Sequence, residues 1–180
     1  MNFTYLGIIF ITFFVLQALF KLLLDYLNYR HRQRHIDYIP EELVGFVDGD
    51  KLKKINLYSN DKLVLSLVDF FVENIVILSI IFLGLIPKYY NFILTITTNQ
   101  YLVGFSLFIS YFLIQFIIEI PFSLYQNFNI EKKYGFNKMT LKVWFLDKIK
   151  VLIISFIINA LLLFPLMFFI FTFKDIWFLF

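Results

Sequence analysis

Four runs of about twenty predominantly apolar residues, separated by polar segments, constrain this chain more than any other feature of its sequence. Crossing about 30 Å of hydrocarbon at about 1.5 Å per residue takes about 20 apolar residues in a helix. The runs fall at about residues 3–24, 63–86, 101–120 and 151–173, and a fifth is expected to open at Ile176. Each is apolar on every face, so the alternating pattern of a transmembrane β-barrel does not fit. The expected fold is all-α: one membrane domain over residues 1–180, with about four membrane-spanning helices and an interfacial helix before the last.

Composition agrees. Of 180 residues, 61% are hydrophobic and only 16% charged, against roughly half and a quarter in an ordinary soluble domain. With 22% aromatic residues, apolar surface is in excess, which excludes a disordered chain. The absence of cysteine removes disulfide scaffolds, thiolate metal sites and cysteine nucleophiles together. The net charge of +3 builds no continuous basic face for nucleic acid, so the partner implied by composition is the lipid bilayer.

Loop charge gives an expected orientation, because Lys and Arg near a span resist translocation. Residues 25–62 carry Arg30, Arg32, Arg34, Lys51, Lys53, Lys54 and Lys62; residues 121–150 carry Lys132, Lys133, Lys138, Lys142, Lys148 and Lys150. Residues 87–100 carry Lys88 alone. Both rich loops share the cytoplasmic side if the N-terminus lies outside. Met1-Asn2 supplies no positive region ahead of the first run, so that run reads as a span rather than a cleaved leader. Lys21 sits near its end, where it can snorkel.

In the first loop, helix is expected to continue from the span to a turn at Ile39-Pro40, and a short amphipathic piece to follow the Asp48-Gly49-Asp50 turn signal. In the second, Leu141, Trp144, Phe145 and Ile149 at helical spacing suggest the interfacial helix. Pro121 is expected to end the third span and let Glu119 reach the interface.

Candidate chemistry is sparse. His31 and His35 lie four apart, as zinc ligands on one helix face do, but Arg32 stands where a metalloprotease has its general base, flanked by Arg30 and Arg34. Cationic neighbours disfavour a divalent metal, and a basic segment held by lipid phosphates is the better reading. Asp69 and Glu73 share a helix face, with Glu73 near mid-span. A carboxylate at the bilayer centre costs about 2.5–3.5 kcal/mol, so both should face a protein interior or a water-filled cavity, with Gln115 or Asn159 as bonding partners across the bundle. Pro165 and Asn159 read as a tolerated kink and an interhelical hydrogen bond. Ser66, Ser79, Ser106, Ser110 and Ser155 have no histidine in their spans, and no G-x-S-x-G, P-loop or dinucleotide fingerprint occurs.

One segment carries a resemblance. Pro121, Ser123, Tyr125, Phe128, Ile130, Glu131, Gly135, Phe136 and Asn137 stand as P-x-S-x-Y-x-x-F-x-I-E-x-x-x-G-F-N, followed by Thr140 and by Phe145-Leu146-Asp147-Lys148-Ile149-Lys150. This resembles the integral-membrane CAAX prenyl protease 1 family, whose N-terminal membrane region has such a segment and then an F-x-x-D-x-I-K-like helix containing the counterpart of Asp147. Tyr26-Leu27-Asn28-Tyr29-Arg30 and the stretch from His35 to Pro40 resemble upstream segments of the same family, with His31 where a Gln is expected.

The resemblance spans nearly the whole chain but the N-terminal half of a typical family member. In that family, H-E-x-x-H on a later helix and a downstream Glu bind zinc, and seven spans enclose a water-filled chamber. No H-E-x-x-H occurs here, so catalytic, cofactor-binding and metal residues are expected to be none in this chain. Zinc belongs to the absent catalytic half, and Asp69 and Glu73 are candidates to face the chamber. The expected function is a membrane domain that is not proteolytic alone, partnered by the bilayer and by a separate catalytic half. The alternatives are a small proton or cation carrier using Asp69 and Glu73, and a non-catalytic scaffold subunit. Abundant Phe, Ile, Asn and Lys suggest an AT-rich genome and favour a bacterial inner membrane over the endoplasmic reticulum.

Overall fold

A computed structural model describes residues 5–36, 38, 39, 45 and 48–173. The described residues are helical with connecting turns: α1 (Tyr5–Arg34), α2 (Gly49–Phe82), α3 (Leu85–Leu94), α4 (Gln100–Tyr125), a π-helical turn (Gln126–Glu131), α5 (Lys132–Tyr134) and α6 (Leu141–Phe173). Four helical stretches are long and apolar enough to cross a membrane: Gly7–Arg34, Gly49–Phe82, Gln100–Tyr134 and Leu141–Phe173. The expected turn at Pro40 and the fifth run from Ile176 lie outside the described residues.

The helices outrun the apolar segments that define them. At about 1.5 Å per residue, 34 residues make a rod about 50 Å long, well beyond the hydrocarbon thickness. The amphipathic piece expected after Asp50 is the first part of α2 and continues into the span without a break. Asp48 starts it: its Oδ1 accepts from the Lys51 N–H at 2.8 Å and its carbonyl accepts from the Leu52 N–H at 2.9 Å, the two bonds of an N-cap.

Residues 141–150 are helical and lead into the last span without a break, as the first turns of α6. One correction follows. Pro121 does not end the third span but lies inside α4. A proline within a membrane helix is tolerated because side chains and altered local turns satisfy the backbone groups it frees. The amphipathic short helix sits elsewhere: α3 follows the left-handed Gly84 (φ 62°), a backbone state glycine adopts without strain.

The chain forms two compact units, residues 1–66 and 67–180. In the first, α1 and the start of α2 are tied by Arg32 Nη2 donating to Asn60 Oδ1 at 3.4 Å and by Asn56 Nδ2 donating to the Ile36 carbonyl at 3.5 Å. Lys21 reaches Asp25 at 2.7 Å, one turn along α1.

In the second unit, α3 and α6 pack on α4. Asn99 caps α4 by accepting from the Tyr101 and Leu102 N–H groups at 3.0 and 3.4 Å. Helix association in lipid relies on close packing and small residues. Gly104 supplies the small residue: a Cβ there would meet Met167 Cε at 2.5 Å, and Met167 and Val103 are buried. Phe105 packs on Phe164 and Phe156 of α6 at centroid distances of 5.3 and 6.0 Å, and Tyr101 meets Phe171 edge-on at 5.0 Å. Such ring pairs contribute about 0.5–1.5 kcal/mol each beyond area burial.

Candidate functional site

The residues that carry the family resemblance lie at 121–150, where α4, the π turn, α5 and the start of α6 meet. A π turn is rare and occurs mostly as a single turn inside an α-helix, often at functional sites. Phe128, Ile130 and Glu131 lie in it; Ile130 is only 3% exposed, with Tyr134 and Trp144 also buried nearby.

The wider register leaves carbonyls seeking donors, and asparagines supply them. Asn127 Nδ2 donates to the Ser123 carbonyl at 2.8 Å, and Asn137 Nδ2 donates to the Asn127 carbonyl at 2.8 Å. Gly135 (φ 80°) reverses the chain, so the N–H groups of Phe136 and Asn137 both donate to the Glu131 carbonyl, at 2.8 and 3.3 Å. Asn137 Oδ1 then accepts from the Met139 N–H. Thr140 starts α6, its Oγ1 accepting from the Val143 N–H at 3.4 Å.

Two side-chain bonds close α6 against α4. Trp144 Nε1 donates to Ser123 Oγ at 3.2 Å, and Lys148 Nζ donates to Glu119 Oε1 at 2.6 Å, with the lysine side chain only 16% exposed. The Lys148 ammonium also lies 5.9 Å from the Trp144 ring centroid, within cation–π range. Glu119 is 56% exposed, as expected of a group at an interface, although the helix continues past it.

Ser123, Ile130, Glu131, Gly135, Asn137 and Phe136 of the motif thus enter the latch through side chain or backbone. Tyr125 is exposed on α4 and Phe128 is half-buried. Asp147 accepts from Lys150 at 3.3 Å on its own helix. The arrangement is architectural: it fixes a helix end and a helix start and presents no nucleophile beside a base.

The other candidates separate. Asp69 and Glu73 are both half-buried one turn apart on α2. Gln115 Nε2 donates to Tyr111 Oη at 3.0 Å and Asn159 Nδ2 to the Ser155 carbonyl at 2.8 Å, each one turn along its own helix. An in-helix carbonyl one turn back lies within reach of the short Asn159 amide. Pro165 sits inside a continuous α6. The gap between α4 and α6 beside Phe105, Phe112, Phe156 and Asn159 measures about 10 Å³, too small for more than about one water.

His31 and His35 do come together at the end of α1, with ring centroids 4.3 Å apart. His35 Nδ1 donates to the His31 carbonyl at 2.9 Å. Among the described residues no group of three or more His, Cys, Asp or Glu side chains converges. A two-histidine pair flanked by guanidiniums, without a carboxylate, does not fit catalytic zinc.

A family model described as "CAAX prenyl protease N-terminal, five membrane helices" matches residues 28–180. The chain belongs to this family. It is 29% identical over 157 residues to the CAAX prenyl protease 1 homolog of Oryza sativa, covering 82% of this chain and 36% of that protein. With the CAAX prenyl protease 1 homolog of Arabidopsis thaliana it is 30% identical over 128 residues, 67% of this chain and 30% of that one. A 34-residue stretch, 19% of this chain, is 59% identical to the probable CAAX prenyl protease 1 of Schizosaccharomyces pombe, where it is 7% of the length. The chain spans about a third of the length of these rice and Arabidopsis relatives. No solved structure matches it. It is a multi-pass membrane protein homologous to the N-terminal membrane domain of CAAX prenyl protease 1.

Proposed function

We propose that these 180 residues form the N-terminal membrane domain of a CAAX prenyl protease 1 type zinc endopeptidase and are not proteolytic by themselves. The observation that carries this reading is the latch at residues 121–150: the family's motif residues are spent on joining α4 to α6, and the two histidines lie elsewhere among arginines. The zinc and its H-E-x-x-H ligands then belong to polypeptide outside these 180 residues, whether continuous with them or separate. Asp69 and Glu73 face a water-filled chamber completed by that catalytic half, which accounts for two half-buried carboxylates in an apolar helix.

The basic segments on either side of the α2–α4 region are cytoplasmic and the N-terminus is outside, by the distribution of Lys and Arg. The composition favours an AT-rich bacterium and its inner membrane, with the endoplasmic reticulum membrane as the alternative. Fractionation of the source cell decides between them.

The test is to purify this chain alone in lipid, measure bound zinc and cleavage of a prenylated peptide, and repeat with the zinc-binding half of a relative added. No cleavage alone and cleavage on addition are expected. Stoichiometric zinc and cleavage by the chain alone overturn the proposal. A second reading, a proton or cation carrier, draws on the same two carboxylates. It predicts that Asp69→Asn with Glu73→Gln abolishes proton flux into liposomes; unchanged flux dismisses it.

A further inference from the structure

The last turns of α1 hold Arg30, His31, Arg32 and Arg34, and His35 follows directly; no part of the proposed protease role uses them. The three arginines divide. Arg32 is half-buried and turns to α2, where it bonds Asn60. Arg30 and Arg34 are exposed, about 200° around the helix from Arg32, and make no ion pair with a described residue.

Positions 27, 30, 31, 34 and 35 fall on one face at helical spacing. There Leu27, Asn28, Arg30, His31, Arg34 and His35 line an open groove of about 380 Å³. That volume suits a phosphate group and part of what it is attached to. The groove also has an apolar end: Leu27 is 47% exposed and lies one turn beyond the end of the apolar run at Leu24.

We infer that this face of α1 binds the phosphate of an anionic phospholipid headgroup. Two guanidiniums one turn apart supply charge and paired donors for phosphate oxygens. The negative end of the α1 dipole opposes an anion here, so the attraction must come from the side chains, which makes it removable by substitution. A lipid is favoured over free phosphate because the groove opens where the apolar run ends, at the depth of the headgroups. The site is independent of the protease reading and stands or falls without it.

The full chain in nanodiscs of phosphatidylcholine, with and without phosphatidylglycerol, is the material for the test, and retention of phosphatidylglycerol on extraction is the readout. Removing each arginine should lower retention about five-fold, so R30Q/R34Q loses most of it. R32Q, whose residue bonds Asn60 instead, should retain it. Equal losses for R32Q and R30Q/R34Q would show a diffuse charge effect and overturn the site; so would unchanged retention in R30Q/R34Q. Glycerophosphate in solution should not displace the lipid, and full displacement overturns the choice of a lipid over a free phosphate. Glutamine keeps helix propensity, and should R30Q/R34Q fail to fold, the single variants R30Q and R34Q take its place, each expected to lower retention about five-fold; unchanged retention in both overturns the site.

Discussion

Trp144 of α6 donates its indole N–H to the Ser123 hydroxyl of α4 across 3.2 Å, joining two helices 21 residues apart in sequence at the site where the family's motif begins. Trp144 is 8% exposed, so its N–H cannot turn to water if Ser123 is removed. One turn on, Lys148 makes a second tie between the same helices through Glu119.

Ser123→Ala and Trp144→Phe each remove that bond, the second also trading the buried indole for a smaller ring. Each should cost about 1 kcal/mol, and the double substitution should cost less than the sum, because the two act through one contact. Thermal unfolding in detergent micelles, with the four proteins compared as a cycle, measures the coupling; strict additivity would mean the bond contributes nothing.

At Gly104, alanine and leucine should part company. An added Cβ meets Met167 Cε, the free end of a flexible side chain, so Gly104→Ala is absorbed by a small shift of the thioether. Gly104→Leu cannot be absorbed and should destabilise the α4–α6 pair by about 1–3 kcal/mol. Met167→Ala in the same molecule should restore part of that loss, read as recovered melting temperature. A Gly104→Leu protein as stable as the parent would show that the close approach does not matter.

Acid should loosen the start of α2. The Lys51 backbone N–H donating to Asp48, with smaller contributions from the Lys51 charge, holds its carboxyl below the usual 3.8. Since the folded value lies below the unfolded one, the cap's contribution is complete at neutral pH and is lost as pH falls through the folded value, below about 3.9. Amide exchange at Lys51 and Leu52 should quicken there, and Asp48→Ala should show the quickened exchange at neutral pH.

Much of this protein was legible in residue order. The four spans and their approximate positions followed from apolar run length, because the bilayer sets that length from outside. The ends of the helices did not, since α2 and α6 begin well ahead of their apolar runs, and backbone hydrogen bonding carries a helix on after the hydrocarbon has ended. Pro121 misled because its local rule disfavours helix, whereas α4 runs through it, as membrane helices tolerate. The motif from Pro121 to Asn137 was visible as a string, but nothing in the string announces a π turn or says that Asn137 closes it.

Residue order by itself determined that this is a helical membrane protein of the prenyl protease type with no zinc motif of its own, because hydropathy and residue identity are properties of the string. Only the tertiary structure decided that Asn127 and Asn137 satisfy the π turn, that Gly104 seats Met167, and that Gln115 and Asn159 bond along their own helices. Those outcomes depend on which donor lies nearest to which acceptor once the helices have packed, and distance between segments is not written in sequence.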